Sequence, residues 1–346
     1  MVKSTGAGGG NMVIHVKKKN VAVTIIWILV LLLTLAAAIS IVQYRKEEHF
    51  AGAVVHTVSR IAPLKGTVTP AQKENLNERY HRPSKKEELE NPYIYASFSN
   101  NKKVAIPHAR DAVLAYYGIL REASNMAGYS GGCGSIGDTK APYPVAYSLL
   151  STEAKKRMSQ KQFEDSFAGI GHITLLQVVD LPSPVGTPPD TRYFMVEFEA
   201  LTGRKEDETK FAYNKQISLF QYFYGIVTVT KENGEWKIAN IQLLPEEFLC
   251  APYHSWFYDS AMVVPIIYQE NLKLIDSVTH TTEKDGIIQL YAHGKNNEYR
   301  FDFVRLTNGH DILISENINE NGKWVNTDLL GNKWKSIKLS PNTDFS

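Results

Sequence analysis

A chain of 346 residues has room for about two ordinary domains, and 43% hydrophobic against 21% charged residues is a globular mixture rather than a disordered one. The formal net charge of +2 excludes a general polyanion-binding surface, so nucleic acid is not an expected partner.

The chain opens with Lys3, Lys17, Lys18 and Lys19 and no acidic residue over positions 1–20. VAVTIIWILVLLLTLAAAISIV, residues 21–42, then runs for 22 residues without a charge. At about 1.5 Å rise per residue this covers a hydrocarbon core of about 30 Å. Four lysines before the run, against Arg45 and Lys46 just after it, put the amino terminus in the cytoplasm under the positive-inside rule. The expectation is a cytoplasmic tail at 1–20, a transmembrane helix at 21–43, and the rest of the chain outside the cell membrane. Ala36-Ala37-Ala38 offers a competing reading as a signal-peptide cleavage site, but the apolar run continues to Val42, which favours a retained anchor. Residues 44–105 read as a stalk or linker: 45–62 are helix-compatible and could prolong the transmembrane helix, and 63–92 are rich in Lys, Glu, Asn and Pro, with PSKKEELENP at their end.

A first domain is expected over residues 106–250. IPHARDAVLAYYGILREASNMAGY, 106–129, repeats apolar residues at helical spacing, with Pro107 in the first turn. A second helical segment is expected over 144–167, with Ser151-Thr152-Glu153-Ala154 resembling a helix start. Between them lies GGCGSIG, 131–137, which contains G-x-G-x-x-G. A dinucleotide site needs a strand before those glycines and a helix directly after them. Here a helix precedes and Pro142 and Pro144 follow, so the segment reads as a connector. ITLLQVVDL, RYFMVEFEAL, KQISLFQYFYGIVTVT and EWKIANIQLL are rich in β-branched and aromatic residues and read as four strands, the last two joined by a hairpin at Asn233-Gly234.

Helices followed by a curved antiparallel sheet make an α+β plan. The helix with AYY, then PYPVAYSLLSTEAKKRMSQKQFEDSF, then the strands ending VTVTKENGEWKIANIQL, resemble the nuclear transport factor 2-like (NTF2-like, cystatin-like cone) superfamily as found in extracytoplasmic proteins of Gram-positive bacteria. The resemblance covers 106–249 and implies a cone whose sheet wraps a pocket, without implying an activity, because that fold serves enzymes, binding modules and scaffolds. Related domains occur beside wall-synthesis transpeptidases and in membrane-anchored conjugation machinery, and the single-span layout matches the latter. Tyr116, Tyr117, Phe194, Phe220, Tyr222 and Tyr224 are the residues that would line such a pocket or form its core.

The two cysteines, Cys133 and Cys250, leave two readings open: a disulfide permitted outside the cell, or two separate thiols. His172 and His254 lack the spacing of a metal site, and no metal or cofactor is expected. No nucleophile elbow, β-lactamase-type or zincin motif is present, so no catalytic residue and no enzyme activity are expected. Glu197, Glu199 and Asp111 are the carboxylates that a cone pocket might have used as a base; solvent-facing charge is the favoured reading. PEEFLCAPYHSWFYD, 245–259, joins the first domain to the last, and its aromatics leave two readings, a ligand surface or, the favoured one, packing of the junction.

Residues 251–346 read as a small, separate β-rich domain: GIIQLYAHG, EYRFDFVRL, HDILISENI and KWVNTDLL form an antiparallel meander with turns at Asp285-Gly286, Asn308-Gly309 and Asn321-Gly322. The whole reads as a membrane-anchored, extracytoplasmic binding or assembly module with protein partners in the cell envelope, or itself, as its targets. The alternatives are a small-ligand or cell-wall-fragment binder using the cone pocket, and an NTF2-like enzyme.

Overall fold

The computed structural model describes residues 90–99, 104–130, 139–205, 219–246, 258–334 and 337–341. The predicted membrane span, most of the stalk, Cys133, Cys250 and His254 lie outside these residues. Among the described residues no helix is long and apolar enough to cross a membrane.

The first helix among the described residues is α1 (Tyr95–Ser99), followed by the long α2 (Ala109–Leu120). Asp111 sits three residues inside α2 and accepts the His108 backbone N–H at 3.0 Å, which satisfies one donor at the helix start. Pro107 therefore stands just before the cap rather than in the first turn. The helix is shorter than predicted. Past Leu120 the backbone leaves to pair elsewhere: Ser124 bridges Thr139, and the Asn125 N–H donates to the Ile170 carbonyl at 2.9 Å. The end of the expected stalk also belongs to the fold. Tyr93, Tyr95 and Phe98 pack on the helical core, and Asn91 Nδ2 donates to the Leu114 carbonyl at 2.9 Å. Gly118 permits this approach, since a Cβ there would lie 2.0 Å from the Tyr93 carbonyl oxygen.

The segment predicted as one helix over 144–167 is three: α3 (Pro142–Ser148), α4 (Thr152–Arg157) and α5 (Gln160–Asp165). Serines make the breaks. Ser151 Oγ accepts the Ala154 N–H at 3.1 Å, and Ser159 forms a reciprocal capping box with Gln162. Between α3 and α4 the chain lies along an outer strand of the sheet, with Ser151 N–H donating to the Ile238 carbonyl at 2.8 Å.

The four predicted strands are present as β2 (Ile170–Leu181), β3 (Thr191–Thr202), β5 (Leu219–Glu232) and β6 (Glu235–Pro245). They form one antiparallel sheet in the order β2-β3-β5-β6. A short pair, β1 (Tyr129–Ser130) with β4 (Arg204–Lys205), stands apart. Register shifts within β2, and between Thr228 and Val229 of β5, insert bulges, which bend strands and increase twist. At the β5–β6 turn Asn233 and Gly234 have φ of 52° and 85°, the type I′ geometry expected of Asn-Gly.

After β6 come α6 (Ser260–Val264), a π-helical continuation (Pro265–Asn271), and a second sheet of β7 (Ser277–Lys284), β8 (Ile287–His293), β9 (Glu298–Arg305), β10 (Asp311–Glu320) and β11 (Lys323–Thr327). A last short helix, α7 (Gly331–Trp334), follows. The second sheet is a meander in the order β11-β10-β9-β8-β7, as the turn signals predict. Its first strand was not foreseen, because every residue of β7 is exposed and the segment shows no apolar alternation.

Each sheet has two covered faces. Phe194, Val196, Phe198, Val227, Val229 and Ile238 of the first sheet share a core with α2 and α3. The opposite face, with Tyr193, Met195, Tyr224 and Ile226, shares a second core with Val304, Leu306, Ile312 and Ile314 of the second sheet. On the far side of that sheet Tyr268 of the π segment packs on Phe301 with ring centroids 4.2 Å apart. The order of layers is helices, sheet, sheet, helix. The described part of the segment read as a small separate domain thus shares a buried core with the first sheet.

Polar groups fix the two sheets together at one turn. The Thr307 backbone N–H donates to Glu197 Oε2 at 2.8 Å, and the Thr307 hydroxyl donates to Glu197 Oε1. Asn308 Nδ2 donates to Glu246 at 2.9 Å, and Gln177 Nε2 to the Arg305 carbonyl at 3.0 Å. Behind them Arg305 grips the buried Asp311 through two bonds, at 2.8 and 3.1 Å. Charge-assisted bonds of this kind are the stronger class, and burial makes their loss costly.

Candidate functional site: a carbon-lined cleft

The helices do not close completely over the first sheet. A cleft of about 510 Å³ opens between α4, α5 and the strands β2, β3, β5 and β6. Its wall is aromatic and aliphatic, because alternate residues of each strand point the same way and those pointing at the helices are apolar. Tyr116 meets Tyr117 edge to face at 5.3 Å, Tyr117 lies 5.4 Å from Phe198, and Phe198 stacks on Phe223 at 5.3 Å. Phe163 and Phe167 of the α5 region stand 5.1 Å apart and close the other side.

The candidate residues fall on two sides of the sheet. Tyr116, Tyr117 and Phe194 are buried in the helical core, and of these Tyr116 lines the cleft. Phe194 pairs with Val227, and Glu197 with Tyr224, in the register of β3 and β5. Phe220, Tyr222 and Tyr224 therefore share the opposite face, toward the second sheet; Tyr224 is buried there, Tyr222 is half-buried and Phe220 is 55% exposed. The six do not form one pocket. Phe198, Phe223, Phe163 and Phe167 take the places that the reading gave to Phe220, Tyr222 and Tyr224. In FQYFYG the signal was the odd-numbered Phe223, whose parity opposes its aromatic neighbours.

Burial governs the acid–base character of this region. Removal from water pushes the Tyr116 phenol well up, with the adjacent Tyr117 adding to the shift, and burial pushes Tyr117 up as well. Both phenols stay protonated, so Tyr116 offers the cleft a hydroxyl rather than a base. Glu197 and Glu199 are not the solvent-facing charges expected: they are 0% and 9% exposed and face the second sheet, away from the cleft. Asp111 caps α2. Among the described residues the one charged side chain lining the cleft is Arg157, whose Nη2 donates to the Ala239 carbonyl at 2.6 Å. His172 lies on β2, and among the described residues no group of three or more His, Cys, Asp or Glu is arranged to hold a metal ion.

One end of the first sheet carries apolar side chains into solvent. Leu219 and Phe220 begin β5 and are 37% and 55% exposed, while Leu243 and Leu244, both 39% exposed, lie near the end of antiparallel β6. Phe220 and Leu244 lie on the face of Tyr224, and Leu243 lies on the cleft face.

No protein-family model matches the sequence, and no curated protein matches it. A solved structure described as an "Ntf2 like protein involved in plasmid conjugation" matches at 8% identity and a TM-score of 0.21, over 63% of this chain and 95% of that one. A TM-score of that size does not establish a shared fold.

Proposed function

We propose that this chain is a non-catalytic binding or assembly module held outside the cell membrane, built on an NTF2-like cone backed by a second sheet. The observation that carries this reading is the exposed apolar end of the first sheet, with Phe220, Leu219, Leu243 and Leu244 in solvent. That end stands on a body braced by two buried cores, a rigid base for a docking surface. The uncharged run at 21–42 and the lysines before it are the reason to assign the partner to the cell envelope, in a complex of the conjugation type. Partners of this kind are envelope proteins or a second copy of the chain.

The reading is tested by placing a charge in the patch. Leu244→Asp is expected to leave the far-ultraviolet spectrum unchanged and to reduce the envelope protein retained with the chain by about tenfold, as for a buried interface anchor. Retention at the original level would remove the patch from the account.

A further inference from the structure

The cleft is asymmetric in its chemistry, and the asymmetry bears on what fills it. Its volume of about 510 Å³ lies within the range of small-molecule sites. Phe163, Phe167, Phe198, Phe223 and Ile241 supply carbon walls. Arg157 lines the same cavity, and among the described residues no carboxylate does. The bond from its Nη2 to the Ala239 carbonyl, 2.6 Å, holds the guanidinium beside β6 at the rim of the cleft. A guanidinium has five N–H donors, and this bond uses one.

These features discriminate among ligand classes. A sugar or other polyol would bring several hydroxyls against phenyl and alkyl groups with few partners. A purely apolar molecule would fill the walls and gain nothing from the cation. The geometry points to a single-chain amphiphile with one anionic head, a medium- or long-chain carboxylate, as the ligand of this cleft. Its chain lies among the phenylalanines, and its carboxylate meets Arg157. Arginine suits this head group because its planar fork matches a carboxylate. Leu243 belongs both to this lining and to the exposed apolar end, whereas Leu244 belongs to the exposed end alone, so the two sites are separated through Leu244.

The test uses the full-length protein in membranes of the native host, with a diazirine-bearing dodecanoate as the photoreactive probe and peptide mapping as the readout. Label is expected in peptides covering residues 154–173 and 238–245, the stretches that line most of the cleft. Unlabelled dodecanoate should compete about tenfold better than dodecanol, the difference that one charge-assisted hydrogen bond makes. Arg157→Gln should lower labelling by about the same factor. The competition uses the unaltered chain, so the proposal stays exposed to refutation even if that variant fails to accumulate. Label spread over other peptides, equal competition by dodecanol, or undiminished labelling of Arg157→Gln would each overturn it. So would competition by phosphatidylglycerol vesicles without competition by dodecanoate, which would assign the cleft to a bilayer lipid. Partner retention through Leu244 should be unchanged in Arg157→Gln, so the two proposals fail separately.

Discussion

Ile314 lies on β10 and is 5% exposed, yet the core that buries it contains Tyr193, Met195 and Ile226 of the other sheet. Truncating it to alanine removes three carbons from a contact region that both sheets use. Buried isoleucine-to-alanine changes cost about 2–5 kcal/mol, the transfer of the lost carbons plus the cavity they leave. With an m-value of about 3 kcal/mol/M in urea, the unfolding midpoint should fall by roughly 1 M. The assay is urea titration of the protein carrying fluorinated tryptophan, followed by fluorine NMR. Trp236 on β6 reports on the first sheet and Trp324 on β11 reports on the second. If the sheets share a core, both resonances shift to the lower midpoint together in Ile314→Ala. Loss at Trp324 with the Trp236 midpoint unmoved would show two independent domains and refute the reasoning.

Two further outcomes follow from buried polar groups. Glu197→Leu and Thr307→Val should each destabilise the chain, and the double variant should recover at least about 1 kcal/mol relative to additivity, because removing both partners leaves fewer unpaired groups than removing one. Additivity in chemical denaturation to within about 0.5 kcal/mol would show that the pair does not join the sheets. The alkaline limb of stability is set by buried phenols. Burial raises Tyr116, Tyr117 and Tyr268, the last also beside Glu316, above the ordinary tyrosine value. Their neutral form is the folded one, so stability is complete below about pH 10 and declines above it as the unfolded chain ionises, by about 1.4 kcal/mol per pH unit for each phenol. Thermal melts of Tyr117→Phe should decline less steeply with rising pH than those of the parent; equal slopes would contradict the assignment.

Much of the architecture was legible in the residues. Asn233-Gly234, Asp285-Gly286 and Asn321-Gly322 announce hairpins because positive φ at both positions favours those residue pairs, and all three pairs adopt it. What misled was two-sided burial. In RYFMVEFEAL both parities are apolar, Tyr193 and Met195 on one and Phe194, Val196 and Phe198 on the other. A strand of that kind is covered on both faces, which already implied a second layer behind the first sheet. The converse applies to SVTHTTEK: a strand in solvent on both faces shows no hydrophobic period. Ser159 and Gln162 carried a capping-box signature, which the Ser151 start lacks, and it marks the break between α4 and α5. The split of the aromatic candidates depended on the pairing of Phe194 with Val227, a register that alternation within single strands cannot supply.

The most direct test of the assembly reading is site-specific photocrosslinking in intact cells of the native host, comparing a benzophenone side chain at Phe220 with one at Val185. Both positions are exposed, at 55% and 87%, but only the first belongs to the apolar end of the first sheet. The account predicts a defined adduct with an envelope protein, or with a second copy of the chain, from position 220 and none from position 185. Adducts of equal yield from both positions, or adducts from position 220 with cytosolic proteins alone, would contradict it.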